Sequence, residues 1–133
     1  MFELNERLAA DTFEVCDLAV SKVLLMNDTA YPWLILVPMQ NGVVELADLN
    51  EQDQQTLMTE MVQVSEVLKE LTGAHKMNVA TLGNVVSQLH VHVIARFEDD
   101  AAWPAPVWGK TKAIPYGAQA QAKFVEVLQQ KLA

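Results

Sequence analysis

Ser87-Gln88-Leu89-His90-Val91-His92-Val93-Ile94-Ala95-Arg96 is the stretch whose pattern says most about this chain. Polar and apolar residues alternate in it with a period of two, as in a strand that lays one face on a core. Strand side chains point to opposite faces in turn. Gln88, His90 and His92 therefore fall on one face, and Leu89, Val91 and Val93 on the other. Same-face neighbours lie roughly 6.5–7 Å apart along a strand. The apolar face anchors the strand, and three polar side chains project together, which a purely structural sheet has little reason to do.

The flanking segments supply the rest of the fold. Met77 to Leu82 reads as a strand, Gly83-Asn84 breaks it, and a longer strand is expected over residues 85–97. Before these comes the clearest helix. Asn50 can cap it, Asp53 stands three residues on in a position like that of a capping box, and Gly73 sits where a helix stops. Leu57, Met61, Val64, Leu68 and Leu71 recur every three or four residues, a stripe that reads as core packing. Two apolar runs, residues 19–26 and 33–37, flank the turn formers Asn27-Asp28-Thr29-Ala30-Tyr31-Pro32 and read as strands. A short helix is expected over residues 3–11, with Leu4 and Leu8 on one face. A last helix is expected from about Ala118 to Leu132, with Ala122, Val125, Leu128 and Leu132 inward. Strands stand on both sides of one long helix without regular βαβ alternation. The fold class is therefore α+β, with a mostly antiparallel sheet, one long helix and a C-terminal helix.

Length and composition bound the function. A chain of 133 residues, 51% of them hydrophobic, fits one domain over residues 1–133 with a core that needs no staples. The lone Cys16 excludes an intramolecular disulfide and reads as a small buried hydrophobe. No signal peptide or bilayer-spanning run is visible, so a cytoplasmic location is expected. The net charge of −8 sets a repelling field against polymeric nucleic acid and anionic membranes. A small anionic ligand held by local N–H donors and imidazoles remains compatible with it. P-loop, dinucleotide-binding, nucleophile-elbow and Cys-x-x-Cys motifs are all missing.

Imidazole suits the constellation on residues 88–92 because it is a neutral nucleophile near pH 7 and also carries protons. Two neighbouring histidines are expected to titrate as a coupled pair, so that one stays neutral and can attack phosphorus while its charged neighbour steadies phosphoryl oxygens or the leaving group. Gln88 can hydrogen-bond but cannot titrate. A His-x-His pair also suits metal, but His75 sits apart in a turn-like segment and the thiol is solitary, so no metal site is expected.

The stretch Gln-Leu-His-Val-His-Val-Ile resembles the histidine triad signature, His-φ-His-φ-His-φ-φ with φ apolar, with Gln88 in the place of the first histidine. Gly83-Asn84 resembles the Gly-Gln that often precedes the triad. Leu34-Ile35-Leu36-Val37-Pro38 resembles the family's apolar strand ending in proline, and Asn27-Asp28 its ribose-holding Asn or Asp. The likeness spans residues 20–97. It implies a nucleotide-type small molecule as ligand, no cofactor, and a homodimer joined by sheet and helix. By the same resemblance His90 is the nucleophile that forms a nucleotidyl-histidine, and His92 lies near the phosphate and leaving group. Asn84 takes a phosphate or leaving-group contact, and Asn27 or Asp28 takes the ribose. The implied activity is hydrolysis or transfer at a phosphoanhydride or phosphoramidate, such as a dinucleoside polyphosphate or a nucleoside phosphoramidate.

Two departures accompany the likeness. Gln88 weakens any proton relay at its position, and Trp33 stands near the place of a histidine common in the family's early strand; Trp33 reads as core. Trp103 and Trp108, in the Pro-containing stretch after Phe97, can stack a base, line a dimer interface or pack under the loop, with packing or an interface favoured. Arg96 reads as a phosphate ligand or a partner of Asp99 or Asp100. Besides an enzyme, the sequence accommodates a non-catalytic nucleotide-binding or signalling module, or a scaffold using the Trp-rich loop.

Overall fold

The computed structural model describes residues 1–133. In chain order it contains α1 (Glu6–Asp11), β1 (Thr12–Asp17), β2 (Ser21–Met26), β3 (Trp33–Pro38), α2 (Glu51–Thr72), β4 (Lys76–Ala80), β5 (Val91–Arg96) and α3 (Ala118–Leu132). The strands form one antiparallel sheet in the order β1-β2-β3-β5-β4. The α+β class expected from the sequence is the class observed.

Local chemistry sets the helix ends. Asn50 Oδ1 accepts the Asp53 N–H at 2.8 Å, and Gly73 closes α2 at φ 69°, the left-handed position that glycine takes without steric cost. Asp53 does not reach back as a capping box would; its carboxylate accepts from Gln40 Nε2 at 2.7 Å. Leu57, Val64 and Leu68 are buried, and Met61 and Leu71 pack beside them. In α3, Val125, Leu128 and Leu132 face inward, whereas Ala122 is exposed and Phe124 packs on the core instead.

Both faces of the central strands are buried, which explains why residues 33–38 are apolar without interruption. One face carries Val23, Leu25, Leu34, Leu36, Val91, Val93 and Ala95 against α2 and α3. The opposite face carries Leu24, Trp33, Ile35 and Ile94, covered by Leu8 of α1 and by Ala102 and Val107 of the loop after β5. No helix is long and apolar enough to cross a membrane.

Several bounds depart from the sequence reading: α1 begins at Glu6 and leaves Leu4 outside the helix, β2 begins at Ser21, and β4 runs from Lys76 and ends at Ala80. β1 was not anticipated, because its residues lie at the sheet edge, mostly half-exposed, and its register shifts between Glu14 and Cys16. The strand expected over residues 85–97 begins only at Val91 and ends at Arg96: the ladder with β3 stops at Leu36↔Val91 although β3 itself runs on to Pro38, and the chain before it turns aside, the Leu89 N–H donating to the Val43 carbonyl at 3.0 Å.

Candidate active site

β5 carries His92 and Ile94 on the face covered by α1 and the Trp-containing loop, while Val91, Val93 and Ala95 anchor it on the helix side. His90, one residue before the strand, falls beside His92 with ring centroids 4.9 Å apart. Both imidazoles are 6% exposed and line one cavity of about 360 Å³. Arg7, Leu8, Asp11 and Thr12 bound it on one side, residues 82–86 on another, with Met26, Trp33, Ile35 and Trp108 completing the wall. The wall is mostly apolar, with a few polar groups converging on it, as in small-molecule sites generally.

Hydrogen bonds fix the tautomers. His90 Nδ1 lies 2.7 Å from the Gln88 carbonyl oxygen. A carbonyl only accepts, so Nδ1 carries the proton and Nε2 of the neutral ring holds a free lone pair. At His92 the roles reverse: the Trp33 indole N–H donates to Nδ1 at 3.0 Å, so the neutral ring carries its proton on Nε2. The only buried side-chain polar atoms without partners are Ser21 Oγ and Glu60 Oε1. Nε2 of each histidine makes no hydrogen bond in the chain, and therefore opens to the cavity. Burial, and secondarily the neighbouring His90, lowers the His92 pKa from 6.5 to about 4. Near neutral pH His92 is therefore an uncharged Nε2–H donor beside the His90 lone pair, and not the charged partner expected from the sequence, because burial penalises its protonated form.

Trp33 and Trp108 hold this pair. Trp108 meets His92 edge-on at 5.1 Å between centroids and Trp33 at 6.0 Å, and Trp33 meets His92 at 5.6 Å. Trp33 is core, as expected, and also orients His92 through its N–H. The loop that delivers Trp108 is fastened by Arg96, which is 1% exposed. Its Nε and Nη2 donate to the Asp100 carboxylate at 2.7 and 3.0 Å, Nη1 donates to Asn78 and Nη2 to the Ala105 carbonyl. The Asp100 carboxyl is held well below the usual carboxylate range by Arg96 and by the N–H groups of Phe97, Ala102 and Trp103. Arg96 is thus the partner of Asp100, and Trp103 packs between His75 and Arg96, away from the cavity.

The structure brings together His90, His92 and Asn84 in one cavity. It does not bring Gln88 there. The pleat starts at Val91, so alternation does not govern residue 88, and its amide turns to the N-terminal segment. Gln88 Oε1 accepts the Asn5 N–H at 2.8 Å and Nε2 donates to the Glu3 carbonyl at 2.9 Å. Asn27 and Asp28 also lie off the cavity: Asn27 Oδ1 accepts the Tyr116 N–H, and Asp28 Oδ1 accepts the N–H groups of Ala30 and Ile114. They tie the β2–β3 turn to the segment before α3. Sequence reasoning did not single out Arg7, Asp11, Thr12 or Met26 as cavity residues, since only the chain crossing places them there. No group of three His, Cys, Asp or Glu side chains is placed to hold a metal ion.

Comparison with known proteins matches this arrangement to a family. The HIT domain model matches residues 7–99. The chain belongs to the HIT, or histidine triad, family. It is similar to solved histidine triad proteins from Bradyrhizobium japonicum (48% identity, TM-score 0.96, covering 99% of this chain and 98% of that one) and Marinobacter aquaeolei (49%, TM-score 0.96, 99% and 96%). A third such protein, from Sinorhizobium meliloti, is 44% identical with TM-score 0.95, over 98% of this chain and 96% of that one. A comparison with curated proteins gives no match. Near-complete mutual coverage means that the cavity of this HIT chain sits in the same framework as in those relatives, N-terminal segment and C-terminal helix included.

Proposed function

We propose that this HIT protein hydrolyses or transfers a nucleotidyl group from a phosphoanhydride or phosphoramidate, by way of a nucleotidyl group bound to His90. The observation that carries this reading is the opposed tautomer pair: a free Nε2 lone pair on His90 beside an Nε2–H donor on His92, in one cavity. His90 Nε2 attacks phosphorus, a P–N bond forms, and the P–O or P–N bond to the leaving group breaks; a phosphate departs as its anion, and an amine departs after taking a proton from solvent. The Gln88 carbonyl, accepting from Nδ1, stabilises the positive charge that the ring acquires. His92 Nε2–H donates to a phosphoryl oxygen or to the leaving atom, and Asn84 adds an amide donor on the same wall. Water then adds to phosphorus, the P–N bond breaks, the nucleoside monophosphate leaves and the proton from water goes to solvent. The apolar wall suits a base, and positioning together with charge stabilisation supplies the rate.

Gln88 takes a positioning role in this scheme: its backbone carbonyl holds His90 and its side chain holds the N-terminal segment. Ribose contacts are not assigned to Asn27 or Asp28, which do not line the cavity and whose Oδ1 atoms accept main-chain N–H groups. A homodimer is supported by the unpaired edge of β4 and the exposed Met58, Val62 and Val79. Sedimentation of wild type and of Val62→Glu checks it: a wild-type monomer would refute it.

Turnover of dinucleoside polyphosphates and nucleoside phosphoramidates tests the reaction. His90→Ala is expected to lower kcat by on the order of a thousandfold or more. Wild-type rates in that variant would refute the mechanism, and nucleotide binding without turnover in the wild type would favour a binding module.

A further inference from the structure

In the reaction proposed above, a phosphate carrying negative charge must bind where neither histidine brings a full positive charge. His90 has to be neutral to attack, and His92 is kept neutral by burial. The chain as a whole is anionic, with a net charge of −8. Among the residues lining the cavity there is one permanently cationic side chain, Arg7 on α1.

We propose that Arg7 is the phosphate-binding residue of the site, taking phosphoryl oxygens of the nucleotidyl substrate with its guanidinium. Its ionic partner within the chain is Asp11, one turn along the same helix, at 3.7 Å, longer than a hydrogen bond, with both side chains more than half exposed. Such an exposed pair contributes little and yields readily to a better partner. A phosphate presents that partner, because the planar guanidinium fork matches two phosphoryl oxygens at once.

The placement of Arg7 is built rather than incidental. Asn5 caps α1, its Oδ1 accepting the main-chain N–H of Arg7 at 2.8 Å. The Asn5 N–H in turn is held by Gln88, two residues before His90 on the same segment. Leu8, next to Arg7, is buried against the site face of the sheet. A continuous chain of contacts therefore registers Arg7 to the histidine pair. The residue that cannot titrate at position 88 holds the helix that carries the cation. Asp11, the one carboxylate on the cavity wall, acts as the resting partner that the substrate displaces.

The inference rests on the nucleotidyl reading of the site, and the test separates the two. Calorimetry would measure AMP, GMP and their nucleosides with wild type, Arg7→Ala, Arg7→Lys and Asp11→Asn, beside turnover of a dinucleoside polyphosphate. Exposure of Arg7 makes unfolding of these variants unexpected, and thermal melts check it. Arg7→Ala is expected to weaken the monophosphate by about 10- to 100-fold while leaving the nucleoside within about twofold. Arg7→Lys is expected to restore part of the loss. Asp11→Asn is expected to tighten monophosphate binding in the wild-type background and to have no effect with Arg7→Ala. Unchanged monophosphate affinity in Arg7→Ala, with turnover still dependent on His90, overturns the role of Arg7 and leaves the reaction standing. Equal weakening of nucleoside and nucleotide also overturns it, since the guanidinium would then serve the wall and not the phosphate. A wild type that neither binds nor turns over nucleotides overturns both.

Discussion

Lowering the pH from 7 to 5 is expected to destabilise the protein through His92. The unfolded imidazole has its ordinary pKa of 6.5, and the folded one about 4. Between these values the unfolded chain binds more protons, so stability is present above pH 6.5 and is lost as the pH falls toward 4. Integrating that difference gives about 2 kcal/mol lost at pH 5 and about 3 kcal/mol at pH 4, relative to pH 7. The carboxylate of Asp100, held below the usual range by Arg96, adds its own loss mainly below pH 5, on top of the pH 4 figure but outside the range from pH 7 to 5. Urea unfolding at pH 7, 6 and 5, for wild type and His92→Leu, measures the effect. Taking a slope of 1–3 kcal/mol per molar urea, the wild-type midpoint should drop by about 1 M more than that of the variant. Equal drops in both proteins would refute a buried neutral His92.

Three further perturbations follow from contacts at the site. Trp33→Phe removes the indole donor to His92 Nδ1 and frees the tautomer; kcat is expected to fall about tenfold and stability by about 1–2 kcal/mol, read by steady-state kinetics and denaturation. Arg96→Ala leaves the buried Asp100 carboxylate without its main partner, and a loss of about 3–5 kcal/mol is expected in urea unfolding, with wild-type stability contradicting the anchoring role. Gln88→Ala frees Glu3 and Asn5, and hydrogen exchange at residues 5–11 is expected to accelerate while α2 stays protected; unchanged exchange would contradict the clamp.

How much the sequence disclosed follows from the range of the interactions involved. α2 was legible because a capping Asn50, a stopping Gly73 and an apolar stripe all act locally, and α3 because of its apolar stripe alone. The pairing of His90 and His92 was legible for the same reason, being a matter of neighbours in the chain. Alternation did not reveal where β5 begins, because the chain before Val91 leaves β3 for a distant partner, the Val43 carbonyl that accepts the Leu89 N–H. It consequently placed Gln88 beside the histidines, although its side chain belongs to residues more than eighty positions earlier. Asn27 and Asp28 read as site residues from their local resemblance, yet their oxygens answer to Ile114 and Tyr116 at the far end of the chain. Trp108 reaches His92 only because Arg96 folds the intervening loop, and no pattern near residue 108 encodes that. Family resemblance gave the identity of the framework; the partners of each polar side chain came from the three-dimensional contacts.

Intact-protein mass spectrometry after a brief reaction with a nucleotidyl substrate tests the central claim most directly. The wild type should gain the mass of one nucleotidyl group, peptide mapping should place it on His90, and the gain should vanish in His90→Ala. Rapid turnover by a wild type that never carries the group, or a group carried on any residue other than His90, would contradict the account.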